Sequence, residues 1–298
     1  MEFLMKQAGF DKAEVDFFSN LYISLMPETK ELLNRARALY MSEECDSECG
    51  SVLNMLNMIC IKYNLDIKTV TMLFLVSSLE SLKEKYAEKG YDEKMYFDII
   101  KDLKYKLDEC KTVFGVLGAM SLNWYQGIFC GHIVSLGRFQ YHHDDFFAQS
   151  YTWKNITVKA GDPVCRFHIP SSGPMTREMR IDSYKRAFEF FGKKPGEYLV
   201  ITCNSWLLDP NLANVYPEGS NLLDFMSDFD IIERIEPTET FSNCWRIFGT
   251  YYKGTTKNLP SKTSLQKNFI KWLDEGNSVG GGKGVIIFDG EKIVNTKP

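Results

Sequence analysis

From Asp11 to Leu107 the apolar positions recur at intervals of three and four, which is the spacing of one face of a helix. Val15, Phe18, Leu21, Tyr22 and Leu25 form the first such stripe, over Asp11 to Leu25. Pro27 marks a second helix running to Tyr40, because a first helical turn tolerates proline. Ser47 is placed to cap a third, with Val52, Leu53, Leu56, Ile59 and Cys60 on its apolar face. Asp66 opens a fourth through Val70, Leu73, Phe74, Leu79 and Leu82 to a stop near Gly90. Asp92 opens a fifth through Tyr96, Ile99, Ile100, Leu103 and Leu107. Short connections between five amphipathic helices predict a compact bundle. No Asp, Glu or His recurs on a shared inner face, so the stripes read as core and carry no di-metal or haem pattern.

After a join at Cys110 to Trp124 the period changes from 3.6 to 2, the period of strands. Gln126 to Leu136 and Gly137 to Tyr141 read as strands, and His142-His143-Asp144-Asp145 as a turn tip. Ser150 to Val158 alternates as a half-buried strand does. Then comes a strand, Val164 to Ile169, a turn, Pro170 to Pro174, a helix, Met175 to Phe191, and a second strand, Tyr198 to Leu208. This order predicts a crossover between two parallel strands. Its loop feeds a helix N-terminus, where free N–H groups and the helix dipole suit a phosphate. Further on, Ser220 and Asn221 cap a helix to Asp228, and Asp230 to Ile235 and Trp245 to Tyr252 read as antiparallel strands. Thr263 and Gln266 form a capping box, Val279 to Gly284 reads as a flexible loop, and a hairpin turns at Asp289-Gly290. The predicted fold class is α+β: an N-terminal α-helical bundle over residues 1–118, then a mixed β-sheet domain over 119–298 with a central parallel pair.

Composition narrows the function. The 298 residues carry a net charge of −4, which argues against a nucleic-acid partner, since phosphate backbones call for clustered Lys and Arg. The longest apolar run, Val70 to Val76, is far short of the ~20 residues that span a bilayer. Met1 to Lys6 lacks the features of a signal peptide, so a cytoplasmic location with reduced thiols is expected. Cys45 and Cys49 have the spacing of half a zinc site but lack a second ligand pair, and no metal is expected.

The element order resembles the GNAT acyltransferase fold. In that fold a central strand leads into a phosphate loop and helix, and then into a parallel strand splayed from its neighbour. The pantetheine arm of an acyl-CoA lies in the gap. Gly137-Arg138-Phe139-Gln140-Tyr141, Phe167-His168-Ile169-Pro170, Asn204-Ser205-Trp206-Leu207-Leu208, Ser220-Asn221 and Thr263-Ser264-Leu265-Gln266 resemble a more particular bacterial family. Its members pair a helical N-acyltransferase N-terminal domain with a GNAT-like C-terminal domain, and the resemblance covers essentially the whole chain. It implies an acyl-CoA-dependent N-acyltransferase, with acetyl-CoA or another acyl-CoA as co-substrate and a small-molecule acceptor, an amine. The alternative is a catalytically inactive GNAT-like module that binds or senses a ligand.

The loop departs from the GNAT phosphate motif, for it has a single glycine, Gly173, followed by Pro174. Ser171, Ser172, Gly173 and Thr176 would donate to a pyrophosphate, Arg177 or Arg180 would meet its charge, and Asn221 would bond the pantetheine amides. His168, at the C-terminal end of the first parallel strand, is the candidate base. Cys203 lies across the gap from it if the registers agree, which would suit a covalent acyl-enzyme or a Cys–His hydrolase. Tyr216 is the candidate acid for the leaving thiolate, and Arg138 and Ser205 are candidate substrate contacts.

Overall fold

The computed structural model describes residues 1–42, 44–238 and 241–295. The chain divides into two compact units, residues 1–135 with 170–172, and residues 136–169 with 173–298.

The first unit is helical. It contains α1 (Glu2–Gln7), α2 (Lys12–Tyr40), α3 (Gly50–Tyr63), α4 (Ile67–Ser77), α5 (Leu79–Glu88), α6 (Glu93–Phe114) and α7 (Asn123–Phe129). Asp11, Asp66 and Asp92 cap α2, α4 and α6 by accepting backbone N–H groups, and Asp11 forms a full capping box with Glu14. The expected break at Pro27 is absent. The proline costs one bond to the carbonyl of Ile23, and Ile23 is 68% exposed, so water can serve that carbonyl. Ser47 does not cap α3; Asp46 Oδ1 takes the N–H groups of Glu48 and Gly50 instead. The expected fourth helix is two, parted at Ser78, whose Oγ donates to Phe74 O and accepts from Arg37 Nε. Gln126 to Phe129, expected in a strand, lies in α7. The core is rich in buried phenols whose hydroxyls reach carbonyls: Tyr40 to Leu122, Tyr86 to Ile133, Tyr96 to Leu79. No helix among the described residues is long and apolar enough to cross a membrane.

The sheet elements are β1 (Val134–Leu136), β2 (Phe139–Asp145), β3 (Tyr151–Trp153), β4 (Ile156–Val158), β5 (Pro163–His168), β6 (Leu199–Ser205), β7 (Asp230–Ile235) and β8 (Gly281–Phe288). The helices are α8 (Arg177–Phe190), α9 (Asn221–Met226), α10 (Cys244–Phe248) and α11 (Ser264–Asp274), with 3-10 turns at Trp206–Leu208 and Pro210–Asn214. The main sheet runs β1-β2-β5-β6-β8-β7, and β3-β4 form a separate hairpin. β5 and β6 are parallel, whereas β2–β5, β6–β8 and β7–β8 are antiparallel. The crossover strands, their helix and the capping box of α11 stand where the sequence puts them.

Four local expectations give way. His142 to Asp145 continue β2, paired with β5, rather than forming a turn. Ser150 to Val158 is a hairpin that turns at Lys154, with φ 53°. Trp245 to Phe248 is helical, with Cys244 and Phe248 buried one turn apart. The expected loop at 279–284 overlaps β8, which lies between β6 and β7. Its glycines answer to proximity: a Cβ on Gly282 would stand 2.1 Å from Leu208 O, and one on Gly284 would stand 2.6 Å from the Phe229 ring. Only hydrogen fits at these positions, so the strand shows no side-chain alternation to read.

Replacing Gly282 by Ala sets a methyl against backbone. Urea unfolding should show a loss of about 3 kcal/mol, the cost of overpacking a site that cannot yield.

Candidate active site

β5 and β6 pair only at Cys165↔Ile201 and Arg166↔Thr202. β5 continues to His168 and β6 to Ser205, and beyond Arg166 and Thr202 the two no longer pair. Each strand is meanwhile fully engaged on its other side. Gln140↔His168 closes the β2 side of β5, and Ser205↔Gly282 closes the β8 side of β6. The parallel pairing is therefore confined to the middle of the two strands, and it stops short of both C-terminal ends, at Phe167–His168 and Cys203–Ser205. Backbone groups there lie outside the β5–β6 ladder, and the stretch between the two strand ends is called the gap below.

Register assigns the side chains to faces. Tyr141, Phe167, Ile201 and Cys203 point to one face, where Phe139, Tyr184, Phe225 and Phe229 fill the core; the Phe139 and Phe167 rings stack at 4.3 Å. His168, Arg166, Thr202 and Asn204 point to the other, with Gln140, His142 and Asp144 of β2. That second face changes character along its length. At the far end Val164, Val285 and Ile287 pack on Phe146, Tyr151 and Val158. Towards the gap Val164 gives way to Arg166 and His168, and Val200 to Thr202 and Asn204. A polar patch thus borders the open end of the parallel pair.

Within the patch the His142 and His168 rings stack at 4.9 Å, 24° from parallel. Arg166 Nη2 meets Asp144 Oδ2 at 2.6 Å, and the guanidinium lies over Phe147. Burial, and then the charges of His142 and Arg166, hold His168 far below its ordinary value, at about 3. It is a neutral imidazole at physiological pH: an acceptor and a weak base.

Cys203 lies on the opposite face from His168, so the two do not form a pair. It is 1% exposed, and burial pushes its thiol up to about 12. A covalent acyl-enzyme at Cys203 and a Cys–His hydrolase are both removed by that geometry. Tyr216 is also a core residue. Its hydroxyl donates to Leu207 O at 3.1 Å, its ring packs on Phe269, and burial raises its phenol well above the ordinary value. Ser205 Oγ accepts from Leu207 N at the end of β6.

The crossover loop is held from below. Arg138, 5% exposed, donates from Nε to Pro174 O and from Nη2 to Gly173 O. Its place is thus that of a brace for the loop. Gly173 takes φ 98°, a conformation that favours glycine. Ser171 Oγ donates to Glu109, and Thr176 Oγ1 accepts from Met179 N as the cap of α8. Ser172 is half-buried. Arg177, at the first position of α8, is exposed and 3.5 Å from Asp224. Arg180 is not available to a phosphate. It is fully buried, with Nε 2.6 Å from Asp228 Oδ2, Nη2 2.8 Å from Asp224 Oδ2 and Nη1 2.7 Å from Met175 O. Asn221 is exposed at the start of α9, and Ser220 makes the cap, which leaves the Asn221 side chain outside the capping bond. Among the described residues no group of three or more His, Cys, Asp or Glu is placed to hold a metal.

The sequence reading gave Gln140, His142, Asp144 and Arg166 no place in the site. Their signal was the alternation of Phe139 and Tyr141 with Gln140 and His142, which puts the polar pair on the face of His168.

The model of the N-acyltransferase N-terminal domain matches residues 2–131, and that of the GNAT-like C-terminal domain matches residues 133–286. No curated protein matches the sequence. Solved structures share the fold over nearly the whole chain. A mutant acyltransferase in complex with octanoyl-CoA is 17% identical, with a TM-score of 0.71 over 98% of this chain and 87% of its own. An acyltransferase in complex with decanoyl-CoA is 20% identical, with a TM-score of 0.67 over 95% and 85%. One in complex with decanoyl-CoA and teicoplanin is 18% identical, with a TM-score of 0.61 over 96% and 98%.

Two measurements check the site. Iodoacetamide at neutral pH should leave Cys203 of the native chain unlabelled while the half-buried Cys45 reacts, as read by peptide mass mapping. Unfolded, the His168 imidazole takes its proton near pH 6.5; folded, it does so only near 3. The unfolded state binds more protons in between, so this residue's contribution to stability should fall as pH drops through that window. The slope approaches ~1.4 kcal/mol per pH unit and should be absent from His168→Gln in parallel denaturations.

Proposed function

The chain belongs to the family that joins an N-acyltransferase N-terminal domain to a GNAT-like C-terminal domain, and on that premise we propose that it is an acyl-CoA-dependent N-acyltransferase. The observation that carries the reading is the arrested pairing of β5 and β6 beside His168. A pantetheine arm carries amide groups, and it can lie in such a gap like an added strand, bonding the backbone of Phe167, His168, Cys203 and Asn204. Ser172, the exposed backbone at Gly173 and the exposed Arg177 remain to meet the pyrophosphate, and Asn221 to meet the pantetheine. The N-terminus of α8 adds its dipole, offset in part by Glu178 in its first turn.

The reaction follows from this placement. The neutral amine nitrogen attacks the thioester carbonyl, the C–N bond forms, and the nitrogen becomes more acidic. His168 relays the proton from nitrogen to sulfur as the C–S bond breaks, and as a weak base it does not retain it. Backbone N–H groups at the mouth of the gap polarise the carbonyl. With Tyr216 bonded to Leu207 O and Cys203 buried on the far face, His168 is the group on hand for both proton transfers. The solved relatives that hold octanoyl- and decanoyl-CoA favour a medium-length acyl group, and those with teicoplanin favour a small-molecule acceptor such as a glycopeptide amine. The rival reading, a ligand-binding module without turnover, draws on the braced, single-glycine loop.

Titration calorimetry should show octanoyl-CoA binding to the unmodified chain and to His168→Gln alike, while transfer to amines falls by about 100-fold in the variant. Binding without turnover in the unmodified chain would favour the ligand-binding module, and no binding of any acyl-CoA would remove the reading.

A further inference from the structure

Gln140 is the cross-strand partner of His168 and shares its face. Directly opposed residues of an antiparallel pair hold their Cβ atoms about 5 Å apart. Gln140 is 2% exposed, yet its Oε1 has no hydrogen-bond partner. A buried amide oxygen without a donor is costly, and native structures keep few. The same sheet satisfies a comparable amide in full: Asn295, also buried, accepts from Ile287 N and donates to Tyr151 Oη and Val285 O. Trp153 Nε1, in the β3–β4 hairpin, is likewise buried without a partner, so Gln140 is singled out by its place opposite His168 and not by rarity.

We infer that Gln140 Oε1 accepts the second N–H of the attacking amine and makes the site selective for a primary amine over a hydroxyl. The inference rests on the acyl-transfer reading. A neutral primary amine has two N–H bonds and one lone pair, arranged tetrahedrally. With one N–H on the His168 imidazole and the other on Gln140 Oε1, the lone pair has one direction left. β5 lies between β2 and the gap, so an amine held on these two acceptors with its lone pair turned away from β2 faces a thioester in the gap. The hydrogen count closes. The proton on His168 leaves with the sulfur, and the amide product keeps one N–H, still on Gln140. A hydroxyl has a single hydrogen. It satisfies one acceptor and leaves the other buried and unpaired, the situation in which polar sites reject an analogue most strongly.

The test uses the full chain, octanoyl-CoA, and matched acceptors: glucosamine with glucose, and benzylamine with benzyl alcohol, following CoA release. Gln140→Met keeps the length and removes the acceptor. It should lower kcat/KM for the amines by about 30-fold, leave kcat/KM for the alcohols unchanged, and leave the Kd for octanoyl-CoA unchanged. Gln140→Glu keeps an oxygen at the same reach and should retain the preference for amines. If Gln140→Met does not fold, Gln140→Asn, which withdraws the oxygen by one methylene, is read in its place. Equal losses on amines and alcohols, or no loss on amines, overturn the role of Gln140 and leave the acyl-transfer reading intact. Absence of transfer to any amine by the unmodified chain overturns both.

Discussion

A buried guanidinium costs several kcal/mol unless its charge and its N–H groups are all met. Arg180 meets that demand with Asp228, Asp224 and the carbonyl of Met175, and Tyr184 donates its hydroxyl to the same Asp228. The cluster is a positional constraint as much as an electrostatic one. Arg180 lies in the first turn of α8, Met175 closes the crossover loop, and Asp224 and Asp228 lie in and just after α9. One residue thereby ties the helix of the crossover, the loop before it and the short helix beyond β6. α8 and α9 then lay their aromatic side chains over β2 and β5, against Phe139 and Phe167. That face is filled by the aromatic core, and the polar side chains of β2, β5 and β6 stand on the opposite one.

Much of this was legible in the residues. The helical stripes, the strand–loop–helix–strand order, the caps at Asp66, Asp92 and Ser220, and the capping box at Thr263 all follow from local rules that tertiary structure did not override. His168 at the end of β5 was legible for the same reason. The misses have physical causes. Pro27 costs one hydrogen bond, and a 29-residue helix spares it. The glycines of β8 look like a linker because their absent side chains answer to Leu208 and Phe229, which are remote in sequence. Cys203 and His168 sit on neighbouring strands, but a register offset of one residue decides which face each occupies, and that offset is invisible until the strands are paired. Arg180 and Arg177 look alike in sequence; only the fold separates a buried brace from an exposed cation.

The family supplies a reaction class, and the geometry redistributes the roles within it. Nucleophilic and acidic groups that the residue types suggested are spent on packing, as at Cys203 and Tyr216. Arg138 braces the loop through two carbonyls. Beside the gap, among the described residues, stand Gln140, the stacked His142 and His168, and the ion pair of Arg166 with Asp144. Such a surface suits transfer to an uncharged nucleophile.

The strand order also has a kinetic side. β6 is held at two residue pairs by β5, and along its whole length by β8, which follows it by more than seventy residues in the chain. Until β8 arrives, β6 is an exposed edge and the parallel pair has little to anchor it. Closing so long a loop is slow compared with forming the helices. During synthesis the crossover would therefore wait, half-paired, for the glycine-lined strand to reach it, and this is the interval in which the nascent chain most needs protection from pairing with its neighbours.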